Sequence, residues 1–588
     1  MNMSEPWPTF PLDLRNALEN RLPEYLPRQR WFGGKARQIR HVHVAELLPL
    51  PRLDQIAPEP SESRRSPESA TIGLSKPLAC WLAIVVVDYA DSGREGYTLP
   101  LTVCPAELDN DSRYRILRWT SPNQCGWDIL EATYWEPFWW ALICLLAGHS
   151  RPTASAPPSE PGFVVHTSAF SPTPLGRFDP QDIRIFPGEQ SQSLAVFRDR
   201  FVVKLFRRLE EGISPDWEIT CFLTEQRRFP HVPAALAAWF YMRPDASKAI
   251  AENAIPSTFE AAVLLAMMTT FQANRGNAWQ CMLDELQSYR RISLPDEVIA
   301  DSQTAPSNLS CANLLALAQE TPPPPWGQIF ASHLARTALL GQRTAELHLA
   351  LAESSQPTFC PEPWTPADQE ALIADCLHQL QSSFSLLRSK LTQLAPDVRA
   401  LAEAVLDKEG EWLLLLATLH RSPCDGVKIR IHGDYHLGQV LCTEDDFILL
   451  DFEGEPARPL AERRRKQSPL RDVAGMLRSF HYAASAALLA ASRDCPERQK
   501  VSLRLLFQKW YLWSAAAFMR GYLQTPHIRQ LLPTSADNLA RLLSAFLTQK
   551  AAYELAYELN HRPDWVEIPL RGLSDLVASE ANRWAKSG

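Results

Sequence analysis

Lys428–Glu453 reads KIRIHGDYHLGQVLCTEDDFILLDFE, and it constrains the fold more tightly than any other stretch of the chain. Two short apolar runs, Gln439–Cys442 and Phe447–Leu450, flank the turn Thr443–Asp446, which predicts a hairpin of two short strands. Polar groups gather at the strand ends. His432-Gly433-Asp434 opens the segment, Gln439 follows Asp434 by five residues, and Asp451 closes the second strand. Turn and cap chemistry alone would explain one such aspartate. It does not explain the whole set at this spacing.

Phosphoryl transfer on a kinase-type scaffold needs this arrangement. One aspartate takes the proton of the attacking hydroxyl, an amide oxygen five residues on reaches Mg²⁺, and a second aspartate bridges the metal to the nucleotide phosphates. Protein kinases write these positions H-R-D-x-x-x-x-N and D-F-G; here they read H-G-D-x-x-x-x-Q and D-F-E. Glutamine carries the oxygen donor of asparagine on one more methylene, and a hard cation takes oxygen ligands. Asp434 is therefore the candidate catalytic base, Gln439 and Asp451 are the candidate metal ligands, and ATP and Mg²⁺ are the implied cofactors.

Upstream, Phe201-Val-Val-Lys204-Leu-Phe206 places a lysine in mid-strand, where it can reach phosphates from a sheet surface. A solubilising edge-strand charge is the bland alternative. Ser193–Phe197 and Phe201–Phe206 lie either side of Arg198-Asp199-Arg200, a short hairpin connection. Ser214-Pro215-Asp216 has the order of an N-cap, a first-turn proline and a first-turn acid. Glu218 follows in that turn, fourteen residues after Lys204, where a glutamate would hold the lysine. The loop Phe186-Pro-Gly188-Glu-Gln-Ser191-Gln-Ser193 has a single glycine. Ser191 and Ser193 could give hydroxyls and backbone N–H groups to ATP phosphates. Turn chemistry explains them equally well.

Proline punctuates the chain, with 48 residues against 23 glycines. Pro51–Pro67 reads as a long surface loop, Arg151–Gly176 as a boundary between units, and Ser302–Gly327 as a break before a long helix. Strand signals such as Trp81–Tyr89 cluster before residue 275. Helical patterns follow it, at Ala331–Leu351, Pro366–Leu394, Val501–Leu523 and Asn538–Asn560. The expected fold class is α+β, bilobal and protein-kinase-like. Its parts are a β-rich N-terminal subdomain over 1–150, a Pro-rich linker over 151–180, a small β lobe over 181–275 and a large α-helical C-lobe over 276–588.

Composition removes other classes. Apolar residues make up 46% and charged residues 21%, which suits a globular core and excludes collagen-like and coiled-coil chains. The net charge of −8 and pI near 6.0 give no basic excess for nucleic acid. The longest apolar runs, Phe138–Ala147 and Ala483–Ala491, fall short of the roughly 18–20 residues of a membrane span. The opening MNMSEPWPTFPLDL lacks the basic and apolar regions of a secretory signal. Twelve cysteines without a CxxC pair argue against zinc and disulfides and for a cytoplasmic chain. No nucleic-acid or membrane partner is expected. Arg463–Lys466 reads equally as a solvated face or as a source of positive potential for ATP. His41 and His43 read as structural.

Several blocks together resemble the bacterial maltokinases, relatives of the aminoglycoside phosphotransferase-like kinases. Arg30-Trp-Phe-Gly-Gly-Lys-Ala-Arg37 is similar to the signature of that family's N-terminal cap, and Lys204–Leu209 to its lysine strand. Leu340–His348 is similar to its first C-lobe helix. Ile431–Leu441, Asp451–Pro456, Arg458–Tyr482 and Pro563–Arg571 complete the match. Glu189–Leu194 departs from the family's E-Q-S-N-T-S, and Met267–Phe271 from its Gln-Glu hinge.

The resemblance implies transfer of the ATP γ-phosphoryl group to the anomeric hydroxyl of maltose. The product, maltose 1-phosphate, feeds α-glucan (glycogen) synthesis, with a trehalose synthase as a partner. It also implies that His436 borders the sugar and that Lys550, Tyr553 and Glu554 (KAAYE) line its site. These three share a helix face at i, i+3 and i+4, so a ring and two charges can form a sugar platform. Two other readings stand beside it. One is a kinase of another sugar or aminosugar, such as glucosamine; the other is a catalytically weak nucleotide-binding module.

Overall fold

The computed structural model describes residues 12–51, 79–106, 114–120, 126–148, 162–168, 179–186, 192–242, 262–292, 294–295, 297–299, 310–420, 423–492 and 496–584. The chain forms two compact units, Met1–Arg228 with Pro233–Ala273, and Phe229–Val232 with Asn274–Gly588. The expected loop at Pro51–Pro67 and most of Arg151–Gly176 lie outside the described residues.

The first unit is built on two antiparallel sheets. Helix α1 (Leu12–Tyr25) buries Leu14, Leu18 and Leu22, spaced one turn apart, against the first sheet. That sheet contains β1 (Ile39–Pro49), β2 (Ala79–Tyr89), β3 (Arg94–Pro105), β4 (Arg115–Thr120) and β5 (Gly126–Glu131), in the order β1-β2-β3-β5-β4. Next comes α2 (Glu136–Leu146), whose residues Phe138 to Leu146 are all buried. A helix with no polar face must be covered all round.

The second sheet supplies part of that cover. Its strands are β6 (Gly162–Thr167), β7 (Ile183–Phe186), β8 (Gln192–Phe197), β9 (Phe201–Phe206) and, beyond the two-residue strand β10 (Arg208–Leu209), β11 (Ala235–Met242) and β12 (Ala262–Thr270). The order is β6-β11-β12-β9-β8-β7. Leu48, Leu82 and Ile84 of the first sheet, α2, and Val203, Leu205, Leu236 and Leu265 of the second form one core. The chain also crosses between the sheets without a break, because Arg208 and Leu209 of β10 pair with Tyr97 and Gly96 of β3. At the crossing the fully buried Arg207 donates to Glu131 at 2.7 Å and stacks 3.9 Å from the Trp31 ring.

The 151–180 stretch, expected as a linker, needs correction. Within it Gly162–Thr167 forms β6 and pairs with Ala237–Met242 of β11. Phe163-Val-Val carries the β-branched character of a strand, which the surrounding prolines obscure.

The second unit is helical. It contains α4 (Ala278–Tyr289), α5 (Cys311–Leu317), α6 (Ala331–Ala352), α7 (Pro366–Lys390), α8 (Pro396–Asp407), α9 (Glu409–His420), α10 (Leu470–Ser492), α11 (Glu497–Gln524), α12 (Ala536–His561) and α13 (Glu567–Trp584). One small hairpin, β13 (Val440–Cys442) with β14 (Phe447–Leu449), stands among them. Helix α7 starts where Thr365 and Asp368 form a capping box around Pro366. Helices α6 and α11 touch backbone to backbone: a Cβ on Gly341 would stand 2.0 Å from the Phe518 carbonyl oxygen. Among the described residues no helix is long and apolar enough to cross a membrane.

Candidate active site

The predicted hairpin forms, and the turns around it set the polar groups. Gly433 has φ +85°, a conformation that only glycine adopts without cost, and it turns the chain between His432 and Asp434. The N–H groups of His432 and Gly433 donate to Asp472 at 2.8 and 2.9 Å. Asp472 lies on α10, is 1% exposed, and also meets His348 Nε2 at 3.2 Å. His432 is buried between the rings of Tyr435 and Phe452 and bonds the Leu450 carbonyl at 2.7 Å, tying the start of the segment to the end of β14. Two buried groups from outside the turn thus fix its backbone.

Asp434 is left with its carboxylate turned to a cleft. Lys550 Nζ of α12 donates to Asp434 Oδ1 at 3.1 Å and to Glu455 Oε1 at 2.9 Å. Glu455, buried, also accepts from Arg458 and Arg471 at 2.8 and 2.9 Å. Burial alone would raise the Glu455 pKa, but Lys550, Arg471 and Arg458 hold it below the usual carboxylate value. Burial works against the Lys550 ammonium too, yet Asp434 and Glu455 raise its pKa above the usual lysine value. Glu455 and Lys550 are therefore both charged at neutral pH.

His436 Nε2 lies 3.9 Å from Asp434 Oδ2, while its Nδ1 accepts from the Gly438 N–H at 3.0 Å. Burial lowers its pKa, so the ring is neutral near pH 7. The Tyr553 ring lies under Lys550, with its centroid 5.0 Å from Nζ. Glu554 is bound by Arg478 of α10 at 2.7 Å. Of the residues expected around a sugar, Lys550 and Tyr553 line one cleft with Asp434, His436 stands 3.9 Å from Asp434, and Glu554 is held by Arg478 instead.

At the end of β14, Gln439 Nε2 donates to Asp451 Oδ2 at 2.8 Å. Asp451 takes φ +68°, a left-handed conformation that costs a non-glycine residue energy and turns the chain sharply after the strand. Carboxylate oxygens of Asp451 and Glu453 lie within 4.8 Å of one another. The Gln439 amide oxygen and these carboxylates form a hard oxygen set that fits Mg²⁺. The basic run braces this turn: Arg463 donates to the carbonyls of Glu453 and Arg458, both at 3.0 Å. Lys466 binds Glu362 at 2.6 Å.

In the first unit Lys204 sits in mid-strand on β9, and its ion pair runs to the buried Asp216 at 2.6 Å. Asp216 and the half-buried Glu218 lie in the first turn of α3 (Pro215–Glu225). Ser193 is buried on β8, and Ser191 lies outside the described residues. Sequence reasoning missed Asp216 as a partner of Lys204, and it missed Asp472, Glu455 and Arg478 altogether. All three fall inside the resembling blocks Asp451–Pro456 and Arg458–Tyr482, but the resemblance gives them no individual role.

No family model matches the chain. It is 27% identical over 242 residues to a glucosamine kinase of Streptacidiphilus jiangxiensis, covering 41% of this chain and 49% of that protein. It is 29% identical over 240 residues to a glucosamine kinase of Mycolicibacterium smegmatis, covering 40% and 52%. The chain thus spans about half the length of the curated relatives it matches. A solved structure of a glucosamine kinase in complex with glucosamine, ADP and inorganic phosphate superposes with a TM-score of 0.52 at 19% identity. That match covers 94% of this chain and 98% of the other. The architecture is an α+β, bilobal, kinase-like fold.

Proposed function

We propose that this chain is an ATP- and Mg²⁺-dependent sugar kinase whose acceptor is the anomeric hydroxyl of maltose. The observation that carries the reading is the Asp434 carboxylate, turned to a cleft and held by Lys550 at 3.1 Å. An incoming hydroxyl takes the place of Lys550 on Asp434, and Lys550 stays on Glu455. As the hydroxyl oxygen bonds to the γ-phosphorus, its proton passes to Asp434 and the bond to the ADP oxygen breaks. Gln439, Asp451 and Glu453 are the residues to hold Mg²⁺, which neutralises phosphate charge when bound. Lys204, anchored by Asp216, serves the phosphates.

Charge supports a neutral acceptor. Glu455 is answered by Lys550, Arg458 and Arg471, Glu554 by Arg478, and Asp375 by Arg458 at 3.3 Å and Gln549 at 2.5 Å. An aminosugar ammonium would enter beside the charged Lys550, and like charges disfavour it. Glucosamine is the second reading, favoured by the names of the two relatives. Phosphorus NMR of products formed from ATP, Mg²⁺ and either maltose or glucosamine decides between them. Maltose 1-phosphate supports the proposal. Glucosamine phosphate alone replaces the acceptor, and ATP binding without transfer to any sugar leaves a nucleotide-binding module.

A further inference from the structure

A cavity of about 860 Å³ opens in the helical unit between α10, α11 and α13, and it shares only Arg478 with the site above. Small-molecule pockets span roughly 300–1,000 Å³, so this one is large enough for an organic ligand. Its floor is apolar, with Leu477 and Leu488 from α10, Leu512 from α11 and Leu576 from α13. The cavity is not simply an unfilled core, because charged side chains stand along two of its walls. Helix α13 presents Glu567, Arg571 and Asp575 at one-turn spacing, and α11 presents Lys500, Arg504 and Lys509.

The two walls differ in how their charges are answered. On α13, Arg571 is bound by Glu567 at 2.5 and 2.7 Å. On α11, neither Arg504 nor Lys509 has a carboxylate within ion-pair distance among the described residues. Lys509 is half-buried, and burial lowers its pKa with no acid opposing the shift. Deeper in the cavity, His481 Nδ1 is buried without a hydrogen-bond partner among the described residues. The Tyr511 ring lies 5.3 Å from the His481 ring. Asp575 also lines the cavity, with its pKa pushed up to about 6 by burial. Arg504 is exposed at the rim, whereas Lys509 is a half-buried cation without a counterion among the described residues, which is costly. An anion that brings its own apolar surface relieves both that charge and the hydration of the floor.

We propose that this cavity binds an organic anion with an elongated apolar body, an acyl carboxylate or an alkyl phosphate monoester. Its head lies between Arg504 and Lys509, and its chain lies along the leucine floor. Isothermal titration of the full chain with decanoate, decyl phosphate and neutral decanamide tests this. At least one anion should bind about tenfold or more tighter than decanamide, a difference of about 1.4 kcal/mol. Acetate and inorganic phosphate, which lack the body, should bind about tenfold or more weaker than their decyl counterparts. Whichever head binds tighter identifies the source as carboxylate or phosphate. The double variant Arg504→Gln/Lys509→Gln should lose the preference for the anion and keep its melting temperature. Leu488→Glu, on a different helix, leaves both cations in place and should abolish anion binding by itself. Three results would overturn the proposal: equal binding of decanamide, anion binding unchanged in the double variant, or no binding of either decyl anion.

Discussion

Asp434 and Asp472 lie on either side of the same two peptide units and do opposite work. Asp472 is saturated by buried donors, the N–H groups of His432 and Gly433 and the ring of His348. Among the described residues the Asp434 carboxylate takes no backbone donor; 21% exposed, it meets the Lys550 ammonium at 3.1 Å. A carboxylate locked by buried partners holds structure, because any partner it releases stays unsatisfied. A carboxylate facing one flexible cation at a cleft can exchange that cation for a hydroxyl. The division of labour explains how an aspartate can be available for chemistry in the middle of a tightly turned segment: another residue does its capping.

The comparison can be broken most directly at Asp434. Asp434→Asn keeps shape but cannot take a proton, so kcat should fall by about 10²–10⁴-fold with an unchanged melting temperature. Turnover and melting measured on one preparation check this; a melting loss with normal turnover would reverse the two roles. Asp472→Ala should do the opposite first, costing about 3–5 kcal/mol in urea unfolding, because His348 and two backbone donors lose a buried partner. A stable Asp472→Ala would show that the turn holds itself.

A smaller effect is acid dependence. Burial raises the Asp472 pKa, but His348 and the Gly433 N–H outweigh it and hold the group below the ordinary value of 3.8. A folded pKa below the unfolded one gives stability that is present above pH 3.8 and lost as pH falls through the folded value. Asp472→Asn should therefore flatten the stability–pH slope below that point, and an unchanged slope in acid titrations would contradict the assignment. The smallest effect is at Gly433, shared by both aspartates. At φ +85° an added Cβ also meets Gly454 Cα at 3.2 Å. Gly433→Ala should cost about 1–2 kcal/mol in the same urea assay.

Much of this was legible in the sequence where the signal is local. The hairpin, the spacing from Asp434 to Gln439 and Asp451, and the long helices follow from short apolar runs and helical periodicity, and the structure places them there. What escaped is non-local. Asp472 reaches the turn from a helix that begins well after the hairpin, and its block matches only as a whole, without a role for the residue. Glu455 gains its meaning only when Arg471 and Lys550 fold against it. Asp216 read as a helix-start signal, and its pairing with Lys204 depends on how α3 lies beside β9. Strand β6 was hidden because proline density around it outweighed three apolar residues.

The wholly apolar α2 has a consequence for modularity. Because it sits in one core with both sheets of the first unit, the first 150 residues cannot be treated as a detachable accessory. A chain begun after them would leave Val203, Leu205 and Leu265 facing water, with no helix to shelter them. The N-terminal sheet is thus a folding cofactor in cis. A shortened, soluble version of this chain would need that apolar surface redesigned as well as the segment removed.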